Sequence, residues 1–183
     1  MISRSSLIAD LIMSNKYKNI AEIGVSKGAT TLAIETLLTR NGYSLDSYKG
    51  IDSFIDKYYA ITETIKNRLS TWHPWSLLEM TSDKAVQCMR GLELVFIDGS
   101  HDENQMCKDI MQYGDALVNG GCLVGHDFLN PLMPKVTSYL EAIMGKEINI
   151  VQDKRNENGK PNYLWWTYKV EEGIYAKIRP NQI

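Results

Sequence analysis

Residues 94–128 leave this chain few folds to choose from. The segment opens with an apolar strand (94–97) and Asp98-Gly99-Ser100-His101, then a helix-like stretch runs to Leu117. Asn119-Gly120-Gly121, a second apolar strand (122–124) and His126-Asp127-Phe128 follow. Two short apolar runs joined by a helix form a parallel βαβ unit, because parallel strands need a long crossover. In an open α/β sheet, ligands bind outside the carboxyl ends of the strands. Asp98, His101, His126 and Asp127 are therefore expected to converge on one crevice. Two of the chain's three histidines belong to that set, which points to chemistry more than packing.

The rest of the chain extends the pattern. Leu7, Ile8, Leu11 and Ile12 fall at helical spacing, predicting a helix over 5–15. Strands are expected at 19–23, 48–51 and 77–80, and helices at 30–40 and 56–69, with a short helix ending at Met89. An aromatic loop, Trp72-His73-Pro74-Trp75, precedes the third strand. It is expected at the sheet's opposite end, with His73 packing in the loop. Beyond Phe128 the reading gives a helix over 135–144, a strand over 148–151, a polar segment over 152–161 and a β-rich run over 163–170. Alternating strands and helices predict an α/β fold, a Rossmann-like doubly wound parallel sheet. The last two strands form an antiparallel hairpin closing one edge. The chain reads as one domain over 1–183.

Composition excludes several classes. The 183 residues are 44% hydrophobic with a formal net charge of -2, ordinary for a globular domain. No basic excess favours nucleic acid, and no apolar run approaches the roughly 18 residues a membrane span needs. The N-terminus shows no apolar signal region. Cys88, Cys107 and Cys122 have neither metal-knuckle nor redox-pair spacing. They are expected to be reduced, in a cytoplasmic protein with neither nucleic-acid nor membrane partners.

A nucleotide-type site is expected at Glu22-Ile23-Gly24-Val25-Ser26-Lys27-Gly28, between the first strand and first helix. Glycines there allow a sharp turn and close approach of a ligand, and the helix N-terminus offers N–H groups to an anion. Asp52, followed by Ser53, ends the second strand. Its carboxylate either meets both ribose hydroxyls of a nucleoside or caps the next helix. Ser82 and Asp83 follow the third strand, either at the height of an adenine ring or as helix caps. The turn has one residue too many for the dinucleotide fingerprint G-x-G-x-x-G.

With Asp52 and the 98–127 segment, this Glu-x-Gly-x-x-x-Gly turn resembles motif I of the class I S-adenosylmethionine-dependent methyltransferases. The chain is most similar to their small-molecule O-methyltransferase branch, which includes macrocin-type sugar enzymes and catechol-type enzymes. The resemblance implies a seven-stranded sheet with an antiparallel last strand. It places Glu22, Gly24, Ser26 and Gly28 around the amino-acid part of S-adenosylmethionine, Asp52 and Ser53 on the ribose, and Ser82 and Asp83 near the adenine, with Asp98 also bordering the cofactor. It further implies that Asp98 and Asp127 hold Mg2+ or another divalent cation. The family's third ligand, an asparagine, is replaced by Phe128, leaving His126 or water for that place. The position of the catechol-type catalytic lysine holds His101.

Methyl transfer to oxygen requires the acceptor hydroxyl to lose its proton. An imidazole ordinarily titrates near neutral pH, which suits a base. His101 is therefore expected as the base and Asp98 beside it as a catalytic carboxylate. Three bland readings stay open: Asp98 as the cap of the helix beginning near Asp102, His101 as an N-terminal helix residue bonded to a carboxylate, and His126 pointing away because strand residues alternate. The acceptor side is expected to draw on Leu129, Asn130, Pro131, Met133 and Pro134. The first helix is short, so the acceptor side is expected to be open, suiting a sugar on a glycan or another bulky small molecule. The competing functions are a nicotinamide-dependent oxidoreductase and a nonenzymatic cofactor-binding module.

Overall fold

The computed structural model describes residues 2–54, 60–145, 147–154, 162–171 and 174–176. Helix α1 (Arg4–Asn15) leads into strand β1 (Asn19–Ile23), α2 (Ala29–Arg40), β2 (Ser47–Asp52), α3 (Glu63–Ser70) and β3 (Trp75–Glu79). The short α4 (Ser82–Ala85), β4 (Leu92–Ile97), α5 (Glu103–Ala116) and the long β5 (Leu117–Phe128) follow. Helix α6 (Pro134–Met144) and strands β6 (Asn149–Gln152), β7 (Tyr163–Glu171) and β8 (Ile174–Ala176) complete the order.

The strands lie in the order β3-β2-β1-β4-β5-β7-β6, with β8 on β7. Strands β1 to β5 are parallel, whereas β7 is antiparallel to both β5 and β6. The predicted seven-stranded sheet with a C-terminal hairpin is thus present, and β8 adds an eighth strand. The polar segment between β6 and β7 and the expected helix start at Asp56 fall largely outside the described residues.

Two apolar layers flank the sheet. Ile8, Ile12, Ile34 and Leu38 of α1 and α2 pack on Ile20, Leu94 and Phe96 on one face. Met106, Ile110, Val136 and Leu140 of α5 and α6 pack on Ile23, Val95 and Ile97 on the other. Strand β4 is covered on both sides, which explains its unbroken apolar run rather than an alternating one. The strand order reverses between β1 and β4, so the crevice at their carboxyl ends is the topological switch point.

Two local boundaries and the packing of His73 differ from expectation. Strand β3 begins at Trp75 rather than Leu77, because Tyr48 N–H reaches back to the Pro74 carbonyl (2.7 Å) and the ladder starts early. The Asn119-Gly120-Gly121 turn lies inside β5, after a register shift opposite Leu92–Leu94, with Gly120 at φ +80°. His73 is exposed in its loop.

Gly125 of β5 faces Trp165 of β7, and any Cβ at Gly125 would collide with the indole ring. The Trp165 indole N–H donates to the His126 carbonyl (3.1 Å). Gly125→Ala should therefore displace the indole and destabilise the fold by about 1–3 kcal/mol, read as a lower urea midpoint with unchanged slope. An unchanged midpoint would contradict this packing.

Candidate functional site

The turn after β1 is built by close approach. Gly24 has φ +92°, and a side chain there would overlap the Asp98 carbonyl oxygen and the Gly99 Cα. Gly24 N–H donates to the Ile51 carbonyl (2.9 Å), and Asp98 N–H donates to the Ile23 carbonyl (2.9 Å). These bonds bring the ends of β1, β2 and β4 together at one point. Ser26 also has a positive φ (+48°), and Gly28 (+77°) stands at the N-cap of α2.

Asp52 secures this turn. One carboxylate oxygen accepts the Ser26 N–H (2.7 Å) and the other the Phe54 N–H (2.8 Å). The next described helix, α3, begins at Glu63 with Thr62 as its cap, so Asp52 does not cap it. Ser53 is exposed beside it.

Glu22 is fully buried beneath the turn. Its Oε2 accepts from Thr31 Oγ1 (2.6 Å) and from the Tyr48 hydroxyl (2.7 Å). Its Oε1 has no hydrogen-bond partner among the described residues. Burial pushes its pKa up to about 7, against the pull of the two hydroxyls.

Ser82 and Asp83 tie the β3 end to α5. Gln105 Nε2 donates to Ser82 Oγ (3.2 Å), and Lys108 pairs with Asp83 (2.8 Å). The Lys108 bond holds the Asp83 carboxyl below its usual range. The α4 cap is Thr81, without a side-chain bond.

The second half of the site is a buried ion network. The Arg4 guanidinium, from the first residue of α1, bonds Asp98 Oδ2 and places Nη2 3.1 Å from His126 Nε2. Arg4 Nε donates to Asp153 Oδ2 (3.2 Å). His126 Nδ1 lies 3.3 Å from Asp127 and 3.5 Å from Asp98, and its Nε2 lies 3.4 Å from Asp153. Asn162 and Asn130 both donate to Asp127 Oδ1 (3.0 and 2.9 Å). Burial alone would lower the His126 pKa, but Asp127, Asp153 and Asp98 outweigh it and carry it up to about 9. Burial acts to raise Asp127, but His126 and the two asparagines hold it well below the carboxylate range. Burial raises Asp98 despite its cationic neighbours.

A β-bulge makes this convergence possible. Gly125 pairs with Trp165 and Phe128 with Tyr163, so β5 carries one extra residue across His126 and Asp127. Asp127 takes φ +63°. Strict alternation would send neighbouring side chains to opposite faces, and a bulge re-aims one of them. His126 therefore points into the cluster, not away from it. Asp98 is not a helix cap: Asp102 caps α5 and accepts the Gln105 N–H (2.9 Å).

The structure thus brings Asp98, His126 and Asp127 together and leaves His101 exposed in the β4–α5 loop. Sequence reasoning missed Arg4, Asp153 and Asn162. Asn130, expected in the acceptor loop, instead binds Asp127. The α1 terminus brings Arg4 onto Asp98. Ile2 bridges to Asp153 and Lys154 N–H donates to the Ile2 carbonyl (3.0 Å), which fixes that terminus in place.

A divalent cation has a mixed fit here. One ligand atom each from Asp98, His126 and Asp127 lies within 4.8 Å of the others. Those atoms are already engaged, however. Arg4 bonds Asp98 Oδ2, the asparagines bond Asp127 Oδ1, and His126 Nδ1 already faces both carboxylates. The cluster has the reach of a metal site, but its carboxylates are committed to Arg4 and the two asparagines, so as folded it does not fit the group. For S-adenosylmethionine the fit is better: the unpartnered Glu22 oxygen lies directly beneath the glycine turn, where a ligand's ammonium group would satisfy it.

Comparison with known proteins accords with this geometry. A family model described as a methyltransferase domain matches residues 21–128. An rRNA methylase from Streptococcus thermophilus superposes with a TM-score of 0.68 at 14% identity, covering 93% of this chain and 99% of its own. The O-methyltransferase TomG from Streptomyces achromogenes, in complex with S-adenosylmethionine, gives 0.69 at 12% identity over 92% of this chain and 80% of its own. The N-methyltransferase NodS from Bradyrhizobium japonicum WM9, in complex with S-adenosylhomocysteine, gives 0.66 at 19% identity over 92% and 86%. At these identities the likeness is one of fold. No curated protein matches by sequence. The chain belongs to the methyltransferase-domain family and is a class I S-adenosylmethionine-dependent methyltransferase.

The buried Glu22 makes stability depend on pH. Its folded pKa, about 7, lies above the 4.5 of a free carboxyl, a difference worth about 3 kcal/mol. Its stabilising contribution is complete below the unfolded value and is lost as pH rises through the folded one. Glu22→Gln keeps an acceptor for Thr31 and Tyr48 and removes the titration. Its melting temperature relative to wild type should rise between about pH 5 and about pH 8. A flat offset would contradict the burial.

Proposed function

We propose that this chain is a cytoplasmic O-methyltransferase whose acceptor is a hydroxyl on a small molecule or sugar. The observation that carries this reading is the packing of the Gly24 turn against Asp98 and Gly99. It sets a cofactor turn and an acidic, imidazole-bearing cluster side by side at the switch point. S-adenosylmethionine supplies a methyl group on a sulfonium. Gly24, Ser26 and Gly28 cradle its amino-acid part, with Glu22 answering the ammonium from below. Asp52, positioned by the Ser26 and Phe54 N–H groups, faces the ribose with Ser53 beside it. Ser82 and Asp83, tied to Gln105 and Lys108, border the adenine.

On the acceptor side, Asp98 and His126 set the local field, and His101 takes the hydroxyl proton. His101 is exposed, so that proton can pass on to solvent. The Mg2+ that the resemblance implies has no step here, because Asp98 already pairs with Arg4 and Asp127 with two asparagines. No helix among the described residues is long and apolar enough to cross a membrane. Although an rRNA methylase shares the fold, a net charge of -2 disfavours a polyanionic substrate. The turn's five-residue spacing disfavours nicotinamide.

Melting curves test this directly. S-adenosylmethionine and S-adenosylhomocysteine should each raise the melting temperature, by about 2.7 kcal/mol of stability at a hundredfold excess over Kd, and NAD should not. His101→Ala should keep that shift while losing methyl transfer. A shift with NAD alone, or with none of the three, would contradict the reading.

A further inference from the structure

We propose that Arg4 takes the place of a divalent cation, so that this methyltransferase keeps its acidic cluster charged and ordered without metal. A cation between Asp98, His126 and Asp127 would need atoms that are already committed. The guanidinium bonds Asp98 Oδ2 and lies 3.1 Å from His126 Nε2, while the Nδ1 edge of the ring faces Asp98 Oδ1 (3.5 Å) and Asp127 Oδ1 (3.3 Å). Arg4 also bonds Asp153 at 3.2 Å, and its side chain is 11% exposed. A fixed positive charge therefore already stands directly beside these three residues.

The placement is built by the fold. Ser3 caps α1 by accepting the Ser6 N–H (3.2 Å), which sets Arg4 as the first helical residue. Ile2 pairs with the end of β6 and the chain just after it on both of its backbone groups: its N–H donates to the Gln152 carbonyl (3.3 Å) and its carbonyl accepts from the Lys154 N–H (3.0 Å). The arginine is thus anchored from both sides. A planar guanidinium suits this role because it stays charged when buried and donates to several acceptors at once.

Asp98, Asp127 and Asp153 each face Arg4 or His126. In the transfer, the acceptor oxygen gains the methyl group, the S–CH3 electron pair stays on sulfur, and the hydroxyl proton leaves to His101. Arg4 gives up no proton.

The catalytic meaning of this inference rests on the methyltransferase reading; its test does not. Mn2+ alone, followed by electron paramagnetic resonance, is titrated into the wild-type chain, Asp98→Asn, Arg4→Ala, Arg4→Met and Arg4→Ala/Asp98→Asn. S-adenosylhomocysteine binding is measured in parallel by calorimetry. Wild type should take up no saturable Mn2+. Arg4→Ala, or Arg4→Met if the alanine variant does not fold, should gain one Mn2+ site, and Asp98→Asn should remove it again. Saturable Mn2+ on wild type that is lost in Asp98→Asn would overturn the proposal. So would folded Arg4 variants that gain no Mn2+. Absent S-adenosylhomocysteine binding would overturn the cofactor reading instead and leave the Mn2+ result standing.

Discussion

The buried ion network is the interaction on which the functional half of this molecule depends. Three carboxylates, a guanidinium and an imidazole come from α1, the ends of β4 and β5, and the segment after β6. None of these groups is tolerable alone away from water, because an unpaired buried charge costs several kcal/mol. Their mutual pairing therefore fixes how the N-terminal helix, the central strands and the C-terminal hairpin meet. Removing Arg4 would leave Asp98 and Asp153 facing each other across a buried space, which is why a cation is expected to replace it.

Two backbone devices serve that network. Gly24 lets the β1 turn press against the Asp98–Gly99 peptide, so the glycine turn and the acidic cluster share a wall. The bulge across His126 and Asp127, with Asp127 at φ +63°, aims both side chains inward. A non-glycine residue in the left-handed region carries local strain. His126 and the two asparagines that grip Asp127 hold it there. Stability is thus spent at the point where the chemistry is expected.

Much of the fold was legible in the sequence because its signals are local. Apolar runs at 94–97 and 122–124, with a helix-length spacer, announce a parallel unit from residues close together in the chain. The glycine turn and the acidic strand ends are equally local. The site was legible only in part. Arg4 reaches Asp98 and Asp153 across 94 and 149 residues, and no pattern near Arg4 distinguishes it from any first-turn arginine. The direction of His126 depends on a bulge defined by its partner strand, so periodicity alone leaves it open. Asn162 had a usable signal: an antiparallel strand beside β5 must begin where β5 ends, which puts its leading residue next to Asp127.

The central claim is metal-free methyl transfer to a hydroxyl. The most direct measurement is transfer of radiolabelled methyl from S-adenosylmethionine, in excess EDTA, to glycosides, small phenols and ribosomal RNA. The account predicts label on a hydroxyl of a glycoside or small molecule, at a rate that EDTA leaves unchanged. Label that appears only when Mg2+ is restored, or only on RNA, would contradict it.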